Sequence, residues 1–190
     1  MTMIVRESAH VRCEKKLRIA FIGPARYPVR EPYAGGLEAF CHTMVQALRA
    51  QGHCVDFFAA KGSDGNDPEF ELPGVKWGEN IDQATDTTYP AGGKEREDAA
   101  FAQLRRLLVQ RDYDVVHNNS LNPLVFRGAH SPEPLPMVTT LHTPRVEELQ
   151  AAITAAGTHA GSFAAVSRTT AADWELPAPA QIIPNGVLSL

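Results

Sequence analysis

Cysteine is scarce in this chain: Cys13, Cys41 and Cys54 are the only three in 190 residues, far apart and odd in number. No C-x-x-C pair occurs, so neither a disulfide framework nor a zinc knuckle is expected, and reduced thiols in a cytosolic protein are the simple reading. Cys41 and Cys54 stand among apolar neighbours and are expected in the core. Long apolar runs are missing as well: nothing approaches the roughly 20 residues that cross a bilayer. Residues 1–16 carry charges throughout without the apolar stretch of a signal peptide, and read as a flexible N-terminal extension. Positive charge is also short. With 18 Lys and Arg against 22 Asp and Glu the net charge is -4, which gives no basic face for nucleic acid. Two catalytic signatures are absent too. No G-x-G-x-x-G turn follows the first strand, which disfavours a nicotinamide dehydrogenase. No G-x-S-x-G elbow supports a hydrolase.

What is present suits one packed α/β domain. Hydrophobic residues make up 44% of the chain, and Pro and Gly, at 14 each, are too few for a disordered one. Leu17 to Gly23 reads as a buried strand, followed by a proline- and charge-rich loop to Ala34. Leu37, Phe40, Met44 and Leu48 then recur at helical spacing, and Gly52 closes that helix. Val55–Ala60, Asp114–Asn118, Met137–His142, Phe163–Ser167 and Ile182–Ile183 read as further strands, with a short one around Val75–Trp77. Helices are expected over Lys94–Arg111, Leu121–Ala129 and Val146–Ala156, with a helical turn through Trp174. Alternation of this kind predicts a Rossmann-like parallel sheet with helices on both faces.

In such a sheet ligands bind beyond the carboxyl ends of the strands. Those ends carry Gly35-Gly36 after the first loop, His117-Asn118-Asn119, His142-Thr143 and Ser167-Arg168. Two glycines before a helix leave free N–H groups and the positive helix end open to a diphosphate; a tight turn with positive φ is the competing explanation. Glu38 either supports the helix dipole or meets a substrate hydroxyl. His117 and His142 are structural hydrogen-bonders, sugar contacts, or metal ligands together with His130. No carboxylate or cysteine has the spacing to complete a metal site. Arg168 either pairs with an anion or sits on a solvated helix, and Trp77 and Trp174 read as packing residues.

Taken in order, LRIAFIGPARYPVREPYAGGLEAF, QALRAQGHCVDFFAA, YDVVHNN, VTTLHTP, FAAVSRTT and IIPNGV resemble the N-terminal domain of family 4 glycosyltransferases of GT-B architecture. The likeness covers roughly residues 17 to 187, although 61 to 93 match nothing specific. It implies a Rossmann-like acceptor-side domain over 17–187, with 188–190 beginning the crossover to a donor-binding C-terminal domain that this sequence lacks. It further implies transfer of a hexose-type sugar from a nucleotide sugar, with retention, to a carbohydrate, lipid or small-molecule acceptor. No cofactor or metal is needed for that chemistry.

Carried over, Gly35 and Gly36 match the glycine loop at the donor diphosphate, Glu38 an acidic position beside it, and His142 the histidine near the transferred sugar. Pro184 to Val187 match the interdomain crossover, where Leu188 replaces the family's usual Asp. His117, Asn118, Thr143, Ser167 and Arg168 complete the expected substrate-binding set. The chain alone is expected to be inactive, and a surface meant for a second lobe can also pair two copies. The expected location is the cytoplasm, including the inner face of a membrane. The alternative reading is a non-catalytic glycan- or nucleotide-binding module.

Overall fold

The computed structural model describes residues 16–78, 88–127 and 135–186. The expectations for residues 1–15, for His130 and for residues 187–190 lie outside them. Six strands form one sheet: β1 (Arg18–Ile22), β2 (Cys54–Phe58), β3 (Val115–Asn118), β4 (Met137–Leu141), β5 (Ser162–Ala165) and β6 (Gln181–Ile182). Their order is β2-β1-β3-β4-β5-β6 and every pair is parallel. The helices α1 (Gly36–Ala50), α2 (Gly93–Gln110), α3 (Glu147–Ala156) and the short α4 (Arg168–Ala172) lie in the connections.

β1 is apolar throughout because both of its faces are covered. Ile19 and Phe21 pack with Val55 and Phe57 of β2 and with Cys41 and Val45 of α1. Ala20 and Ile22 point the other way, into a larger cluster with Phe101, Leu104 and Leu108 of α2 and Leu149 and Ile153 of α3. Strand alternation thus feeds two separate cores, one under α1 and one under α2 and α3. This is the doubly covered Rossmann-like sheet that the alternation of elements predicts.

The apolar face of α1 is present, but its centre is Glu38, Cys41 and Val45, with Leu37, Phe40, Met44 and Leu48 half-buried on its flanks. Gly52, at φ 86°, ends the helix in a Schellman arrangement: its N–H donates to the Arg49 carbonyl at 2.9 Å and that of His53 to Leu48 at 3.2 Å. At Gly161, also at positive φ, any Cβ would collide with the Met137 carbonyl oxygen, so the turn into β5 requires glycine.

Three expectations are corrected. Cys54 is exposed, because it opens β2, the edge strand, before the sheet's packing begins. Val75–Trp77 forms no strand. Leu72 makes an isolated bridge to Ala60 and the Val75 N–H donates to the Arg26 carbonyl, so the segment braces the long β1–α1 loop instead of adding to the sheet. Over its described residues, 121–127, the helix expected from Leu121 to Ala129 is one 3₁₀ turn, Pro123–Phe126, whose start is capped by the Asn122 side chain accepting from the Leu124 N–H at 3.0 Å. Proline at its first position suits such a start. Trp77 and Trp174 are both buried, as packing residues should be. Among the described residues no helix is long and apolar enough to cross a membrane.

Candidate functional site

The strand order reverses at β1: the chain leaves β1 for β2 on one side and returns to β3 on the other. A crevice opens beyond the carboxyl ends of β1 and β3 at such a switch point. A cleft of about 460 Å³ lies there, and Pro24, Gly35, Gly36, Glu38, Ser120, His142 and Thr143 are among the residues lining it. The loop that forms one wall is pinned from outside. The Val29 N–H donates to Ser63 Oγ at 2.8 Å, the Ala60 N–H donates to the Pro24 carbonyl at 3.0 Å, and the Tyr33 hydroxyl meets His42 Nδ1 of α1 at 2.6 Å.

The amino end of α1 carries no side-chain cap. Gly35, its N-cap, is extended at φ -165°, and Gly36 is not among the glycines at positive φ. The tight-turn explanation for the pair therefore fails. Nor does internal crowding require Gly36, since a Cβ built there meets nothing within 4 Å. What glycine leaves at this position is open space in front of the first helical N–H groups, which have no partner within the helix itself, a geometry suited to an anion. Glu38 is buried at the third position of the helix, with Oε2 3.2 Å from where a Gly35 Cβ would lie. A carboxylate there favours the helix dipole and also lines the cleft. Burial, with Glu38 nearby, pushes the Cys41 thiol up, so it stays protonated beneath the site.

His142 follows β4 directly. Its Nε2 lies 3.0 Å from Asn119 Oδ1, and its ring packs edge-on against Phe40 of α1, with centroids 4.8 Å apart. The Asn119 amide is oriented by its own Nδ2 donating to the His117 carbonyl at 3.5 Å, and the Asn119 N–H is held by Ile22 at 2.8 Å. Oδ1 can only accept, so His142 donates from Nε2. Burial, and secondarily the neighbouring His117, hold the His142 pKa down to about 4. At neutral pH the ring is uncharged, with Nδ1 left as an acceptor. His117 is held down to about 4 by burial alone; its Nε2 lies 2.8 Å from Thr140 Oγ1 and its ring packs edge-on against Phe21.

The residues singled out in the sequence have different fates. Gly35, Gly36, Glu38, His142 and Thr143 come together in the cleft. Thr143 is held there by the Trp174 indole, which donates to its carbonyl at 3.1 Å. His117 sits behind His142, within the sheet. Asn118 is fully buried and braces the β3 end: its Oδ1 accepts from the Ser120 N–H and hydroxyl at 3.1 and 2.8 Å. Ser167 caps α4, accepting from the Thr170 N–H at 2.9 Å, and the neighbouring Arg168 is exposed; neither lines this cleft. Ser120, Arg26, Tyr89 and Glu97 are cleft residues that the sequence did not single out, while Asn119 stood at a polar strand end and Asn185 in the crossover motif without being chosen as site residues. Among the described residues no group of three or more His, Cys, Asp and Glu side chains is placed to hold a metal.

The model of Glycosyltransferase Family 4 matches residues 34–187. The chain belongs to that family. No curated protein matches it. The matched span begins just before the glycine pair of α1 and runs through β2 to β6, so the family 4 match and the cleft rest on the same part of the fold. In this family 4 glycosyltransferase domain the α1 amino end and His142 occupy two walls of one cavity, with Asn185 of the segment after β6 on its rim.

Proposed function

We propose that the domain is the acceptor-side half of a retaining glycosyltransferase that takes a hexose-type sugar from a nucleotide-sugar donor, without a metal, and completes its site with a second, donor-binding domain. The observation that carries this reading is the pairing, in one cleft, of the α1 amino end at Gly35-Gly36 with a neutral, oriented His142.

The two features suit the two charges that sugar transfer creates. As the glycosidic bond to the diphosphate breaks, negative charge grows on the leaving phosphate oxygens. N–H groups of α1, already aligned and needing no reorganisation, stabilise that charge. Positive charge grows on the sugar ring, where a protonated histidine would repel it. A neutral His142 instead offers Nδ1 as an acceptor for a sugar hydroxyl, with Nε2–H committed to Asn119. Arg26 is the one Lys or Arg among the described residues lining the cleft. The second domain is proposed to supply the further cations that a departing diphosphate requires.

The test is stereochemical. An active two-domain enzyme containing this domain, given an α-linked nucleotide sugar and its acceptor in excess EDTA, should yield an α-linked product, while the 190-residue chain alone yields none. A β-linked product removes retention from the reading, abolition by EDTA removes metal independence, and robust turnover by the chain alone removes the need for a second half.

A further inference from the structure

A right-handed connection sets its helix on one face of a sheet or the other according to the direction in which the chain crosses it. In the order β2-β1-β3-β4-β5-β6 only the step from β1 to β2 runs one way, and every later step runs the other. Among the described residues α1 is therefore alone on its face, packed over β1 and β2, while α2 and α3 cover the opposite one. The register carries the α1 face from Phe21 through His117 and Val138 to Ser162, and from Thr140 through Ala164 to Gln181. β4 shows the consequence. Met137, Thr139 and Leu141 are buried on the far face, but Val138 and Thr140 stay half-exposed on this one, and Ser162 and Gln181 beside them are exposed. Parallel sheets ordinarily bury both faces; here half of one face has no helix over it among the described residues.

α1 borders that gap and has an unusual outer side. A surface helix ordinarily turns charged side chains to water. α2 carries seven, and α3 opens on the exposed Glu147 and Glu148. α1 has two charged residues and turns neither outward: Glu38 is buried, and Arg49 is drawn aside to the Val55 and Gly65 carbonyls at 2.9 and 3.0 Å. Thr43, Ala47 and Ala50 are what it exposes. Phe40, Met44 and Ala47 on its flank line a groove of about 520 Å³ that Asn185 and Gly186 close from the other side. We propose that two copies of this chain pair through this face, α1 of each copy lying over β3 to β5 of the other and beside that copy's own α1.

A two-fold axis along the strands achieves this, stacking sheet, two helices and sheet. The dimensions agree. Packed helices lie about 8–10 Å apart and two strand spacings come to about 9.6 Å, so a second helix beside α1 stands over β3 and β4. The 15 residues of α1 run about 22 Å, enough to span strands of four or five residues, about 13–17 Å long. Absence of charge selects the occupant. A two-fold contact sets each patch against itself or its mirror neighbour, so like charges there repel and a neutral face does not. Val138, Thr140, Ser162 and Ala164 are neutral, and no charged residue occurs from Leu176 to Gly186. Ile183, two residues after Gln181 and so on the same face, is 51% exposed on the rim. A helix as charged as α2 would have to shed its hydration to lie there; α1 has none to shed. The pairing uses neither Glu38 nor His142, and stands or falls independently of sugar transfer.

The experiment is sedimentation velocity on the 190-residue chain over about 1 to 200 µM, the range in which small interfaces associate. The mass should rise towards that of two copies. Thr43→Lys, at an exposed helix position, should raise the dimer Kd at least about tenfold, because the two-fold brings the new charge into the contact twice, with the far-ultraviolet circular dichroism unchanged. Ile183→Lys, from the opposite rim, should do the same and covers the case in which the first variant fails to fold. In a sample mixing methyl-labelled with deuterated, ¹⁵N-labelled copies, the Met44 and Ala47 methyl groups of one copy should show nuclear Overhauser contacts to β4 amides of the other. A chain that stays monomeric at the highest concentration, a Kd indifferent to both lysines, or contacts between copies that avoid α1 and β4 would each overturn the pairing. A monomer whose α1 and β4 resonances move only when a donor-binding domain is added overturns it as well and assigns the face to that domain.

Discussion

The ends of β4 and β5 make an instructive pair. Both strands are buried and both stop at polar residues, His142-Thr143 in one case and Ser167-Arg168 in the other. The first pair lines the cleft. In the second, the serine caps a five-residue helix and the arginine is exposed. The difference lies in distance from the β1–β3 switch point. β4 is next to β3, so His142 meets Asn119 from the end of β3 and Phe40 from α1. β5 is one strand further out, and its following residues turn into their own helix. A polar strand end therefore marks a ligand site only where the neighbouring connections leave a crevice for it to face.

The sharpest way to break that contrast is to remove His142. In an active two-domain enzyme, His142→Ala should lower kcat roughly a hundredfold, in the range of losing one oriented catalytic contact, with the far-ultraviolet circular dichroism unchanged. An unaltered kcat would put the β4 end on the same footing as the β5 end. Gly36→Leu comes next. Apart from its chain neighbours and its own helix backbone, nothing lies within 4 Å of a Cβ at Gly36, so the added side chain should obstruct what docks at the helix end. The expected result is a donor KM raised about tenfold, the scale of one charge-assisted contact, with acceptor KM little changed. Equal effects on both would reduce Gly36 to a surface residue.

Acid should act on the β3–β4 region through folding. His117 and His142 are held down to about 4 in the native chain, against about 6.5 when unfolded. Between those values the unfolded state binds more protons, so stability is full above about pH 6.5 and falls as the pH drops towards 4. Together the two rings should account for a loss on the order of a few kcal/mol. Urea unfolding at a series of pH values checks this, and His117→Gln with His142→Gln should flatten the slope across that window. The smallest effect belongs to β5: Ser167→Ala should cost about 1 kcal/mol for a lost cap and leave transfer kinetics alone. A fall in kcat with unchanged stability would return Ser167 to the site.

The parallel sheet was legible because buried strands such as RIAFI and MVTTL and the helical stripe of α2 announce themselves by period. Gly35, Gly36 and His142 were legible because they follow strands at the edge where α/β sheets bind ligands. The segment around Val75 misled because two β-forming residues in alternation, Val75 and Trp77, look alike whether they extend a sheet or brace a loop. Glu97 was invisible for a different reason. On a helix rich in Lys, Arg, Asp and Glu one more carboxylate reads as a solvated face, and nothing local says that it points inward at Tyr89 and Asn122.

The chain's own pattern of apolar and polar residues determined the alternation of strands and helices, the two cores on either side of β1 and the placing of polar groups at strand ends, because burial of apolar area is governed by local periodicity. Which of those polar groups meet was decided only by the tertiary structure. Asn119 against His142, Tyr89 and Asn122 against Glu97, and Trp174 against Thr143 are separated in sequence by 23, 8, 25 and 31 residues. Contacts of that kind depend on strand order and on which crevice the order opens, and no short-range pattern encodes either.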